Sequence, residues 1–200
     1  MEAHVRPLRA DAARNRARVL DAARMAFAEA GLDVGVEEIA RRAGVGKGTL
    51  YRRFPTKEAL VCAIFEDILL EFERVSAEAL EGDQPGQAFV RFLNTCAVMQ
   101  ADNQGFYDVV SRVGSKVTTA EQSARFRKAA AGPLERAQAA GVVRDDLAAD
   151  DLLQIFRMIG ATTREFSGGQ PVEDWRRYLS LMLDAMRPAA ATQLPPRLDR

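Results

Sequence analysis

The chain has 200 residues, and its 28 Lys and Arg residues balance its 28 Asp and Glu residues. Its only histidine is His4, its two cysteines, Cys62 and Cys96, lack any metal-binding spacing, and no apolar run approaches the length of a membrane-spanning helix. This composition argues against a metalloprotein and a membrane protein, and without a secretory signal in residues 1–10 we expect a cytoplasmic chain that needs no cofactor.

The charges are distributed unevenly along the chain. Residues 1–60 carry 12 Lys and Arg against 8 Asp and Glu, a net charge of +4, whereas residues 61–200 carry 16 against 20, a net charge of −4. A basic head on an acidic body turns the head toward a polyanion and keeps the body away from it. The charge pattern therefore favours a nucleic acid as the partner of the head.

Apolar residues at helical spacing predict a first helix over residues 11–30 and a second helix over residues 36–43. The apolar face of the second helix consists of Val36, Ile39, Ala40 and Ala43. Gly44 follows, and a glycine there can adopt the left-handed backbone conformation that ends a helix. The first helix is expected to pack one face on this region and to brace it.

A third, short helix follows a Gly-Val-Gly turn. Its residues Leu50 and Phe54 lie four apart, so both must point into the same core. Gly48 and Arg52 then point outward, and Thr49, Tyr51 and Arg53 lie on the flanks. Cationic side chains neutralise phosphates and short polar side chains reach base edges, so this surface suits the groove of a DNA duplex. The alternative is an ordinary helical hairpin with a solvated basic face.

Four linked motifs span this region, namely FAEAGLD (27–33), IARRAGV (39–45), GTLYRRF (48–54) and KEAL (57–60). In this order, residues 11–70 resemble the DNA-binding domain of the TetR/AcrR family of bacterial regulators. The resemblance implies an all-α protein with a three-helix helix-turn-helix domain at residues 11–58. A helical effector-binding and dimerisation domain would follow at residues 59–187, and residues 188–200, rich in Ala and Pro, are expected to form a flexible tail.

The chain departs from the family pattern at three positions. Gly35 and Gly46 stand where the family commonly has Ser or Thr as helix N-caps, and glycine is only a slightly weaker N-cap than these residues. Arg53 stands where His is frequent, which keeps a phosphate role and leaves the base preference at this position open. We therefore expect the docking mode to be retained.

The resemblance also implies a role for each DNA-facing residue. The positions that match base-facing sites are Lys47, Thr49 and Arg52. The positions that match phosphate-holding sites are Tyr51, Arg53 and Lys57. Gly48 has no side chain and lets the start of the helix approach the groove closely.

Beyond the head the sequence predicts only helices. Pro55 breaks the chain, and Thr56 can cap a long fourth helix that reaches about residue 80. A later helix begins near residue 119 and contains Pro133, which should kink or restart it. The last two helices, residues 150–166 and 172–186, are apolar on more than one face.

Aromatic side chains, Met and Val are concentrated between residues 89 and 126, where the family resemblance implies an inducer pocket between helices. The candidate pocket residues are Phe92, Met99, Phe106, Tyr107, Val110 and Phe126. An ordinary helical core has the same composition, so pocket and core remain alternative interpretations.

The last two helices are the candidate homodimer interface, because a helix that is apolar on several sides must be covered on several sides. The family resemblance implies that they form a four-helix bundle with the partner subunit. The candidate interface residues are Phe156, Ile159, Trp175, Leu179, Met182 and Met186. A two-fold dimer would present two recognition helices to a roughly palindromic stretch of double-stranded DNA.

We therefore expect a sequence-specific DNA-binding transcriptional regulator, a repressor that is relieved when a small molecule binds the C-terminal domain. Control by a protein partner, or the lack of any effector, is the first alternative. An enzyme is the second alternative, and it is disfavoured because residues 61–200 contain no histidine and no recognisable nucleophile or metal motif.

Overall fold

The computed structural model describes residues 5–103, 106–107, 119–162, 175–190 and 192–195. The regular structure within these ranges is helical, which confirms the all-α prediction. The helices are α1 (Val5–Ala30), α2 (Val36–Ala43), α3 (Lys47–Arg53), α4 (Lys57–Ala79), α5 (Pro85–Asp102), α6 (Ala120–Ala139), α7 (Ala149–Thr162) and α8 (Trp175–Ala185), with short 3-10 helices at Gly31–Asp33 and Pro188–Ala190. None of the helices in the described ranges is long and apolar enough to cross a membrane.

The chain divides into two compact units. The first contains Met1–Ile68 and Asn103–Ala120, and the second contains Leu69–Asp102 and Glu121–Arg200. The α4 helix continues through this division, so its first half belongs to the first unit and its second half to the second.

In the first unit, α1 packs on α2, and α2 packs on α3. The buried residues of these three helices include Leu20, Ala23, Phe27, Ile39, Ala40 and Leu50. Arg16 of α1 and Asp67 of α4 add a half-buried ion pair at 2.8 Å. The first helix therefore braces the α2–α3 pair, as its apolar face predicts.

Backbone geometry at Gly44 ends α2 as predicted. Gly44 has φ of +64°, in the left-handed region that favours glycine. The N–H of Val45 donates to the carbonyl of Ala40 at 3.0 Å, and the Arg18 guanidinium donates to the carbonyl of Ala43 at 2.7 Å. These bonds satisfy carbonyls that the end of the helix would leave without partners.

The three predicted N-caps are confirmed. Gly35 and Gly46 precede α2 and α3 in extended conformation and make no side-chain cap hydrogen bond. Thr56 precedes α4, and its Oγ1 accepts a hydrogen bond from the N–H of Ala59 at 3.1 Å. Among these three helices, only α4 therefore gains a side-chain cap, and α2 and α3 depend more on packing.

An aromatic cluster occupies the core of the second unit. Phe72 of α4 stacks on Phe126 of α6 with ring centroids 4.0 Å apart. Phe92 of α5 and Phe156 of α7 meet the same Phe72 ring edge-on, at 5.6 and 6.5 Å. Such edge and offset contacts stabilise aromatic cores beyond simple burial. Phe72 therefore joins four helices of this unit.

The α6 helix runs through Pro133 without interruption, so the predicted restart is wrong. A prolyl residue has no N–H for the carbonyl four residues earlier, which here is that of Ala129. The buried hydroxyl of Ser76 on α4 donates to this carbonyl at 2.6 Å. A neighbouring helix thus supplies the hydrogen bond that the proline lacks, which lets α6 continue.

The first helix begins at Val5 rather than near residue 11. Residues 163–174, predicted to hold helix ends and a loop, lie outside the described residues. Within the predicted tail, the carbonyl of Thr192 accepts a hydrogen bond from Arg144 at 2.5 Å, and the N–H of Leu194 donates to Asp146 at 3.4 Å. This part of the tail is therefore attached to the turn before α7.

Candidate nucleic-acid interface

One residue of the α3 helix, Leu50, is buried. Leu50 is 1% exposed, and Phe54, directly after the helix, is 7% exposed. These two side chains fix the rotation of the helix about its axis, as their spacing predicts. The remaining α3 residues, Lys47, Gly48, Thr49, Tyr51, Arg52 and Arg53, are all exposed, and Lys57 at the start of α4 is half-buried.

Three of the candidate residues form one shallow depression on this surface, namely Thr49, Arg52 and Arg53. No hydrogen bond or ion pair joins the Arg52 side chain to any residue that the structure describes. Within the described ranges, the Arg53 guanidinium makes one long contact, at 3.5 Å from the carbonyl of Ala12. Arg52 therefore keeps its planar set of donors available for an external acceptor such as guanine or phosphate.

Lys47 is held by a neighbouring helix. Its amine forms an ion pair with Glu37 of α2 and lies 5.7 Å from the centroid of the Tyr51 ring. This hydrogen bond lowers the pKa of Glu37 and raises the pKa of Lys47, so both groups are charged near neutral pH. No sequence pattern predicts this pairing, because Glu37 is one of two acidic residues in the first turn of α2.

Lys57 also has a partner within the protein. Its amine donates to the carbonyl of Leu32 at 2.7 Å, at the 3-10 turn between α1 and α2. A lysine amine has three donors, so this bond leaves capacity for a phosphate oxygen. The contact ties the start of α4 to the turn that precedes α2.

The two arginines of α2 are paired among themselves and their neighbours. Glu38 accepts hydrogen bonds from both Arg41 and Arg42 at 2.7 Å, and Glu29 accepts one from Arg42 at 2.6 Å. These bonds, led by the one from Arg41, lower the pKa of Glu38 to about 2. Arg41 and Arg42 thus have acidic partners, in contrast to Arg52.

The candidate pocket residues that the structure describes are divided between the two units. Phe92 and Phe126 pack against Phe72 in the core of the second unit, and Met99 packs at the edge of that core. Phe106, which is buried, and Tyr107 belong to the first unit. Val110 lies outside the described residues.

A groove of about 360 Å³ in the second unit has a different lining. Its residues include Gly86, Phe89, Val90, Val142, Leu183 and Met186. Met186, a candidate interface residue, lines it, but none of the five candidate pocket residues within the described ranges does. The sequence could not separate packed aromatic residues from cavity-lining ones, because both environments select the same side chains.

The candidate interface residues mostly face the core of the second unit. Five of them are buried there, namely Phe156, Ile159, Trp175, Leu179 and Met186, and Met182 is half-buried. Some of the exposed residues of these helices recur at helical spacing, namely Gln154, Met158 and Ala161 on α7 and Tyr178, Leu181 and Ala185 on α8. Met158 and Leu181 are 48% and 56% exposed.

Two family models match the chain. Residues 19–64 match the model described as bacterial regulatory proteins of the tetR family, and residues 84–188 match the model described as the C-terminal domain of SbtR-like transcriptional regulators. The first match contains all of α2, α3 and the DNA-facing candidates. No curated protein matches the chain by sequence.

Solved structures agree with these matches. A TetR transcription regulatory protein from Mycobacterium vanbaalenii is 36% identical, with a TM-score of 0.67 over 90% of this chain and 99% of that one. A TetR transcriptional regulator from Streptomyces coelicolor is 31% identical, with a TM-score of 0.65 over 88% of this chain and 99% of that one. A TetR family regulator from Thermus thermophilus, 24% identical with a TM-score of 0.63 over 84% and 97%, shares the fold.

Proposed function

Because the chain belongs to the TetR family of bacterial regulatory proteins, and is therefore a DNA-binding transcriptional regulator, we propose that it acts as a homodimeric repressor of a roughly palindromic operator. Residues 11–58 form the DNA-binding domain in this proposal, and residues 59–187 form the effector-binding and dimerisation domain. The protein acts in the cytoplasm and without catalytic turnover.

The observation that carries this proposal is the orientation of α3. Leu50 and Phe54 point into the core, and this leaves the polar and basic side of the helix exposed. Thr49 and Arg52 read base edges in the major groove, while Tyr51, Arg53 and Lys57 contact phosphates. An arginine that has no ionic partner among the described residues is suited to pair with a guanine through two hydrogen bonds.

We place the dimer contact on the exposed stripes of α7 and α8. Met158, Tyr178 and Leu181 supply apolar area there, and Ala161 and Ala185 let helices approach closely. A two-fold axis through these helices pairs each stripe with its copy. The two α3 helices then meet half-sites about one helical turn of DNA apart, roughly 34–36 Å, or a multiple of that distance.

We propose that a small-molecule effector relieves repression by binding the second unit. The rings of Phe72 and Phe126 are stacked, so a ligand at this place must separate them. Phe72 lies on α4, the helix that both units share. A ligand that displaces this ring can therefore change the DNA-binding unit through α4. Such a ligand lowers operator affinity only by the difference between its affinities for the two conformations.

Sequencing the genomic fragments that the purified full-length protein retains tests the DNA-binding proposal. We expect enrichment of fragments that share an inverted repeat, and enrichment without any common repeat would contradict the operator proposal.

A thermal-shift screen tests the effector proposal. A ligand that raises the melting temperature and lowers operator affinity supports the effector proposal. If no small molecule in the screen stabilises the protein, control by a protein partner or the lack of any effector is favoured.

A further inference from the structure

An acidic side chain lies within the basic surface of α3. Glu37, in the first turn of α2, forms an ion pair with Lys47, the first residue of α3. Both side chains remain largely exposed, at 58% and 57%, and Lys57 adds a weaker attraction on Glu37. A carboxylate at this place repels the phosphates that the surrounding cations attract. It therefore opposes the sequence-independent part of DNA binding.

The ion pair restricts the Lys47 amine without using all of its donors. A lysine side chain has a flexible four-carbon stem, and an unrestrained amine can reach several neighbouring phosphates. Here the amine is held between the Glu37 carboxylate and the Tyr51 ring. Of its three N–H donors, one binds the carboxylate and two remain for an acceptor on DNA.

We propose that Glu37 is a specificity-determining residue that acts by positioning Lys47, an inference that rests on the proposed function. On random DNA the carboxylate retains the amine, so that Lys47 makes no phosphate contact. On the operator the amine keeps its bond to Glu37 and donates to a base acceptor such as guanine O6 or N7. Glu37 thereby lowers non-specific affinity and favours the operator.

The test compares the full-length parent and Glu37→Gln in binding to a retained genomic fragment and to a random fragment of the same length, over a series of salt concentrations. We expect affinity for random DNA to rise about threefold and the ratio of operator to random affinity to fall about three- to tenfold. The salt slope on random DNA should steepen by about 0.9, which corresponds to one additional phosphate contact.

A double-mutant cycle with Lys47→Gln separates positioning from simple charge repulsion. In the Lys47→Gln background there is no amine to hold, so Glu37→Gln should leave the affinity ratio unchanged. Glu71→Gln, which makes the same charge change beside Arg74 on α4, should bind like the parent. Thermal unfolding should be the same for all these variants, because exposed ion pairs contribute little to stability.

A failure of the Glu37 inference and a failure of the proposed operator binding give different results. If Glu37→Gln keeps the parent's affinity ratio, or lowers it equally with and without Lys47, Glu37 does not determine specificity through that lysine. If the parent itself prefers no fragment over random DNA, the proposed operator binding fails and this inference fails with it.

Discussion

The α3 helix and the α7–α8 pair bury their apolar residues in different ways. On α3 a single side chain, Leu50, is buried, and every other residue is exposed. On α7 and α8 one apolar stripe is buried in the protomer, and a second one, with Met158 and Leu181, remains exposed. A helix with one apolar stripe can pack in only one way, whereas a helix with two has an inner and an outer surface to cover. The first arrangement leaves a polar surface exposed, which is the proposed DNA contact, and the second leaves apolar side chains exposed, which are the proposed dimer contact.

The largest loss of stability is expected when a buried residue of either region is truncated. Leu50→Ala and Leu179→Ala each remove a leucine side chain that is 1% exposed. Each should lower the free energy of unfolding by about 2–5 kcal/mol, measured by urea denaturation. A loss below about 1 kcal/mol for either variant would contradict its placement in the core.

A smaller loss of stability is expected in α6, where the hydroxyl of Ser76 on α4 compensates for Pro133. Ser76→Ala leaves the carbonyl of Ala129 without its hydrogen bond, and it should cost about 1–3 kcal/mol of unfolding free energy. Pro133→Ala restores a backbone N–H four residues after Ala129, so the cost of Ser76→Ala should shrink in that background. An equal cost with and without Pro133 would show that the hydroxyl does not compensate for the proline.

A smaller effect on folding, but a visible effect on assembly, is expected for the outer stripe. Leu181→Glu places a charge on the proposed dimer contact and should weaken dimerisation at least about tenfold, with the helical circular dichroism signal retained. Analytical ultracentrifugation measures this change. Leu70→Glu makes the same substitution at a leucine of similar exposure on α4 and is the matched control. If both variants remain dimeric, the contact lies elsewhere.

The smallest effect concerns single contacts of α3. Arg52→Ala should reduce the preference for one operator base pair about tenfold or less, while the other positions keep theirs. Lys57→Ala should weaken binding to all sequences alike and flatten the salt slope by about 0.9. Binding to a set of operators with single base changes distinguishes these patterns. If both variants bind like the parent, these two DNA contacts are assigned wrongly.

The parts of the fold that the sequence predicted are those that local chemistry determines. Gly44 ends α2 because a left-handed residue is required there, and Thr56 begins α4 because its side chain reaches the N–H of Ala59. The spacing of Leu50 and Phe54 fixed the inner side of α3 for the same reason, since one stripe allows one orientation.

The parts that sequence reasoning missed depend on long-range contacts. Pro133 looked like a break because the Ser76 hydroxyl that compensates for it lies 57 residues earlier in the chain. At Phe92 and Phe126 the sequence could not decide between core and pocket, because packed rings and ligand-lining rings share one composition. On α7 and α8, both apolar stripes have helical spacing, so the pattern could not tell which one faces the protomer's own core.

In the proposed function, α3 enters the major groove of an operator, twice in each dimer. Hydroxyl-radical footprinting of a retained genomic fragment with the purified full-length protein measures this arrangement. We expect two protected segments of similar size, related by an inverted repeat and separated by about one helical turn or a multiple of it. One protected segment, or uniform weak protection along the fragment, would contradict this arrangement.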